Sequence, residues 1–229
     1  MLSEDYILRA VQLAVAALLR IAGLRQAGLY DDAQTAIDLA LESLLGLRAS
    51  RARALDDERL YYLLTRDGRL DTGRLALVAA LFEAEGDVHA DQNRAEAAQA
   101  AYARALRYAL EVYFQEKGLA GGALEPGGVE PGEMALRISG LLKKARLELL
   151  GADTLWPLAG YWEEVGQYGQ AEAALRRTAQ DPLARPEILP ELAEFYRRMV
   201  SKPEDELRAG GLDPARARAQ LEGGACDAV

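Results

Sequence analysis

The chain reads as all-α, a set of stacked helical hairpins forming an irregular α–α superhelix, and three observations predict it. Ala, Leu, Glu and Arg, all good helix formers, dominate the 229 residues, while β-branched residues are sparse. One spacing recurs three times: an Ala, a bulky apolar residue four positions on, and a small residue three beyond that. It reads Ala33–Ile37–Ala40, Ala98–Tyr102–Ala105 and Ala171–Leu175–Thr178. Two copies open with similar turns, Gly28-Leu29-Tyr30-Asp31-Asp32 and Gly166-Gln167-Tyr168-Gly169-Gln170. Such recurrence marks repeat proteins in which each hairpin buries its apolar side against its neighbours.

About nine main helices and further short C-terminal ones follow. Residues 3–27 form one long helix, with Ser3 as N-cap and Gly28 closing it. Its apolar residues spread beyond one face, so it needs two covers. The helix at 32–45 supplies one; the helix at 57–65 or another subunit supplies the second. A helix then runs from Asp71 to His89. Asn93-Arg94-Ala95-Glu96 reads as a capping box for the next, which continues to Lys117. Six glycines and two prolines make 118–132 a flexible surface loop, longer than most helix connections. Helices resume at 134–150, and at 154–165 with Gly151 as the break and Asp153 as the cap. Two more lie at 169–179, stopped by Asp181-Pro182, and at 186–200. Gly210-Gly211-Leu212-Asp213-Pro214 reads as a C-cap, an N-cap Asp and an N1 Pro between short helices. One domain spans 1–222, and 223–229 fray as a disordered tail.

The second and third copies resemble the tetratricopeptide repeat, whose signature runs Trp-x2-Leu-Gly-x2-Tyr, then Ala-x3-Phe, then Pro. Phe82, Gly86, His89, Ala98 and Tyr102 fall on its Trp, Gly, Tyr, Ala and Phe positions. Leu155, Leu158, Ala159, Trp162, Ala171 and Leu175 take the corresponding places later, with Pro182 one residue from the terminal Pro. The first copy keeps Leu24, Ala33 and Ile37 but has Ala17 and Arg20 where larger apolar residues are expected. Ala33 to Ala98 spans 65 residues and Ala98 to Ala171 spans 73, so single extra helices separate the hairpins and the array is irregular. Small residues at Gly86, Ala98 and Ala171 let hairpin backbones approach closely. The whole chain also resembles an uncharacterised bacterial family of such proteins, through Tyr6-Ile7-Leu8-Arg9, Ala27-Gly28-Leu29-Tyr30 and the closing stretch 203–212. That likeness brings no known activity with it.

Repeat geometry implies a groove lined by the outward positions of each first helix: Ala80, Glu83 and Asp87, then Trp156, Gly160 and Glu163. An acidic groove with one aromatic suits a basic or amphipathic peptide. The plainer reading makes these carboxylates a solvated face, with Trp156 packed by the preceding helix.

Charge and chemistry narrow the function. The formal charge of −9 repels phosphate backbones, which argues against nucleic acid. The densest basic cluster, Lys143, Lys144 and Arg146 with Arg137, has the spacing of an ordinary solvated helix face. The single cysteine, Cys226, excludes an intrachain disulfide and fits a reducing compartment. Glu4 and Asp5 stand where a signal peptide would be basic. The apolar stretch Ala10–Leu19 is about half the length a bilayer demands. A cytoplasmic protein without membrane contact is expected.

His89, the single histidine, has Glu85, Asp87 and Asp91 nearby, yet lacks metal-ligand spacing and fits a packed imidazole better. No serine lies near it with an elbow motif, no phosphate loop is present, and Glu163-Glu164 is commonplace in acidic helices. We therefore expect no enzyme, no cofactor and no metal. The expected function is a non-catalytic protein–protein interaction or scaffold module whose partner is a protein or peptide. Alternatives are a homo-oligomer, such as a homodimer, built through the apolar N-terminal helix, and an all-α small-molecule sensor with a pocket near Tyr61, Tyr62 and Trp156.

Overall fold

A computed structural model describes residues 4–119 and 130–222. Ser3, the middle of the 118–132 segment and the 223–229 tail lie outside the described residues. Helix dominates, as expected, with one departure at residues 65–70.

Two compact units divide the chain. The first, Met1–Glu148, holds α1 (Glu4–Gln26), α2 (Tyr30–Leu45), α3 (Ala49–Ala54), α4 (Asp57–Leu64), strands β1 (Thr65–Arg66) and β2 (Arg69–Leu70), α5 (Thr72–Asp91), α6 (Ala95–Leu119) and α7 (Pro131–Leu142). The second, Leu149–Val229, holds α8 (Ala152–Glu164), α9 (Tyr168–Thr178), α10 (Arg185–Val200), α11 (Glu204–Ala209) and α12 (Pro214–Glu222).

The recurring alanines mark one backbone unit used three times. The first helix of each hairpin ends in a left-handed residue: Gly28 (φ 72°), Asn93 (φ 60°) and Gly166 (φ 76°). The next amide then reaches back to close the helix end, Leu29 to the Leu24 carbonyl, Arg94 to His89 and Gln167 to Trp162. Four residues further on, the amides of Ala33, Ala98 and Ala171 donate to the carbonyls of Leu29, Arg94 and Gln167, each at 3.0 Å. All three alanines are buried, where a small methyl leaves room for close helix packing.

This overturns the capping-box reading of Asn93. Its left-handed backbone terminates α5, the task Gly28 and Gly166 perform elsewhere. Asn tolerates that conformation better than other residues with a Cβ, but less well than Gly. Asn93→Gly should raise stability by about 0.5–1 kcal/mol, and Asn93→Val should lower it by about 1–2 kcal/mol. Urea unfolding of the two variants checks the sign.

In the first unit α5 is central, packing on α1, α2 and α6. It buries Leu75, Val78, Leu81, Phe82 and Val88, and α6 answers with Leu106, Tyr108, Leu110 and Val112. α7 lies on α6 and inserts Met134, Ile138 and Leu141, one residue per helical turn. The second cover of α1 is therefore α5 and not the 57–65 helix.

Four further boundaries differ from expectation. α3 was not foreseen; its first amide donates to Glu42 Oε1 at 3.1 Å. The 65–70 segment forms an antiparallel hairpin pairing Thr65 with Leu70 and Arg66 with Arg69. Its turn, Asp67 (φ 50°) and Gly68 (φ 77°), has both central residues left-handed, which matches the right-handed twist of the strands. The 134–150 helix stops at Leu142, with a 3-10 turn at Leu147–Leu149. Gly151, not Asp153, occupies the cap position of α8.

Arg104 of α6 holds the α3–α4 connection. Its guanidinium donates to the carbonyls of Arg53 and Leu55, each at 2.6 Å, and to the Tyr108 hydroxyl at 2.8 Å. It also stacks 4.7 Å from the Phe82 ring centre.

The second unit packs α8, α9 and α10 around Leu158, Trp162, Leu175, Leu192, Phe195 and Met199. Its α8–α9 turn sits backbone to backbone on the α11–α12 junction, where the Gly169 amide donates to the Gly210 carbonyl at 2.9 Å. Buried Glu172 of α9 accepts from the Tyr196 hydroxyl of α10 at 2.6 Å and pairs with Arg216 of α12 at 3.2 Å.

Candidate interaction surfaces

Glu83, Asp87 and Asp91 follow one another at four-residue intervals and so share one face of α5. That face is occupied by cations of the same unit. The Lys144 ammonium lies 2.9 Å from both Glu83 Oε1 and Asp87 Oδ1, and Arg137 Nη1 reaches Glu83 Oε2 at 2.9 Å. From α1, Arg25 pairs with Asp87 at 2.7 Å and with Asp91 at 3.0 Å. The Tyr102 hydroxyl of α6 donates to Asp87 at 2.8 Å. Its ring lies against Gly86, where a Cβ would come 2.5 Å from two ring carbons. Deeper on α5, Glu85 accepts from Arg53 at 2.7 Å and from Gln34 at 3.1 Å.

The basic cluster of the sequence thus divides. Lys143 and Arg146 are exposed, whereas Arg137 and Lys144 turn inward to clamp α5. Their role is internal neutralisation, which sequence spacing alone did not show.

These contacts set a pH dependence. Burial opposes the charge on Lys144, but hydrogen bonds to Glu83 and Asp87 outweigh it and raise its pKa above 10.5. Burial and the bond to Asp87 raise Tyr102 well above 10.0, and burial raises Tyr61, Tyr108 and Tyr196 likewise. A raised value means stabilisation that is present below the ordinary value and lost as pH climbs through the shifted one. Tyrosinate absorbance from these four rings should therefore appear together with loss of helical circular dichroism, above pH 10.0. Titration of all tyrosines near 10.0 with the helices intact would contradict these contacts.

Trp156, Gly160 and Glu163 run along one face of α8, in the other unit from Glu83 and Asp87. Trp156 is partly exposed, and Glu163 is held in a two-pronged bond by Arg198 of α10, at 2.7 and 2.8 Å. The aromatic trio of the sensor reading is also divided. Tyr61 packs edge-on against Tyr108, Tyr62 is 85% exposed, and Trp156 belongs to the second unit. His89 is half-buried, as a packed imidazole would be, and its buried Nδ1 has no hydrogen-bond partner among the described residues. Among the described residues no group of His, Cys, Asp and Glu is placed to hold a metal, and no helix is long and apolar enough to cross a membrane.

A further surface, on the first hairpin, is apolar. Of eleven large apolar side chains exposed among the described residues, five lie on the first hairpin: Leu13, Val15, Leu19, Leu29 and Leu39. Leu13, Leu19 and Leu39 are 60%, 75% and 59% exposed. α1 turns Ala14 and Ile21 inward, so α2 and α5 cover that side, while Ala16, Ala22 and Gly23 share the exposed outer side with Gln12, Arg20 and Gln26. The excess of apolar residues in the first helix was the sequence signal for this surface. No protein-family model, no curated protein and no solved structure matches the chain.

Proposed function

We propose that the chain is a non-catalytic protein-binding or scaffold module, built on tetratricopeptide-like hairpins and working in the cytoplasm. The observation that carries this reading is the set of exposed apolar side chains along α1, with Leu39 exposed on α2. Contiguous exposed apolar surface on a folded protein marks a contact site, because burying it releases about 25 cal/mol per Å². The three matching turns support the repeat architecture, and the lone Cys226 suits a reducing compartment. The acidic positions are weaker docking points, since Glu83, Asp87 and Glu163 already meet cations of their own unit.

A photo-crosslinking residue at Leu19 tests the module, with one at exposed Leu136 of α7 as control. In host cells the Leu19 probe should yield discrete adducts, with another protein or with a second copy, that Leu13→Glu abolishes. Adducts no stronger at Leu19 than at Leu136 would overturn the reading.

A further inference from the structure

We infer that the partner seated on the α1–α2 face is a second copy of this chain, related by a two-fold axis that runs the two α1 helices antiparallel. The inference rests on the binding-module reading and names its partner.

Exposed Gln12, Ala16, Leu19, Gly23 and Gln26 follow one another at intervals of four, three, four and three residues, the seam of a left-handed helix pair. Polar residues close both ends of this seam, and its middle is apolar. A two-fold axis between Ala16 and Leu19 places each copy's Leu19 beside the other's Ala16, large against small. The α1–α2 connection closes at Gly28, so at about 1.5 Å per residue Leu39 lies level with that axis. The two copies of Leu39 then meet across it, and the assembly is a four-helix bundle.

The charges agree with this register. Arg9 is exposed toward the start of α1, and Asp31 and Asp32 are exposed at the start of α2. Within one copy they lie at opposite ends of the hairpin. Antiparallel pairing about Ala16 and Leu19 brings Arg9 level with Asp31 and Asp32 of the second copy, twice by symmetry. A parallel pairing would instead set Arg9 beside Arg9. The face, about 20 Å long and two helices wide, buries on the order of 1,000 Å² in total, the size class of weak, transient interfaces.

Light scattering and sedimentation of the full chain, from about 1 to 200 μM, test this. Mass should rise from 24.9 kDa toward twice that value. Leu19→Glu with Leu39→Glu should weaken the dimer at least tenfold while leaving the helical signal unchanged. Arg9→Asp should weaken it several-fold, and adding Asp31→Arg and Asp32→Arg should restore it. A monomer throughout overturns the inference, as does a dimer indifferent to the leucine substitutions; failed charge rescue overturns the antiparallel register. A monomer whose Leu19 probe still captures a different protein would leave the binding module standing without the dimer.

Discussion

Gly169→Ala should destabilise the second unit by about 2–3 kcal/mol. A Cβ on Gly169 would fall on the Gly211 carbonyl group, 2.9 Å from its carbon and closer still to its oxygen. Both colliding groups are backbone, so no rotamer relieves the clash. The α8–α9 turn and the α11–α12 junction must move apart, and the Gly169–Gly210 hydrogen bond of 2.9 Å is lost with that movement. Helix propensity alone favours Ala by about 1 kcal/mol, so the sign of the change separates the two effects. Gly140→Ala in α7, where a Cβ meets nothing within 4 Å, should stabilise by about 0.5–1 kcal/mol. Urea unfolding of both variants decides it. A Gly169→Ala protein as stable as the parent would deny the backbone contact.

Gly86→Ala should cost the first unit about 2 kcal/mol. The new methyl would lie 2.5 Å from Cδ1 and Cε1 of Tyr102. That ring is buried and its hydroxyl is held by Asp87 at 2.8 Å, so it cannot swing aside without giving up both. Tyr102→Leu by itself should also destabilise, through the lost hydroxyl bond and lost ring contacts. In the Gly86→Ala background, however, the smaller side chain makes room for the methyl. A double-mutant cycle should show a favourable coupling of at least about 1 kcal/mol, and additive losses would mean the two residues do not touch.

Much of the fold was legible in the sequence because its determinants are local. Helix-forming residues and the left-handed glycines at 28 and 166 act within a few positions of themselves. The third turn was hidden because Asn can cap a helix start or close a helix end, and only the backbone of Asn93 separates the two. The β-hairpin was available in Asp67-Gly68, the dipeptide that suits such a turn, but short flanking strands between helices masked it. The acidic face of α5 was partly visible, since Glu83 and Asp87 are one turn apart. Its neutralisation was not, because Arg137 and Lys144 reach Glu83 from 54 and 61 residues away. The outer face of α1 was legible as an apolar excess whose second cover was either the 57–65 helix or another subunit. What sequence lacked was the identity of the second neighbour, since α5 approaches α1 through long-range contacts that leave no local pattern.

Arg104 carries a consequence for the order in which the molecule assembles. The elbow at residues 53–55 has its carbonyls met by a side chain about fifty positions downstream. During synthesis from the N-terminus, that elbow must wait, hydrated, until α6 has left the ribosome. The first hairpin can close on local contacts alone, and the elbow locks only once α6 arrives.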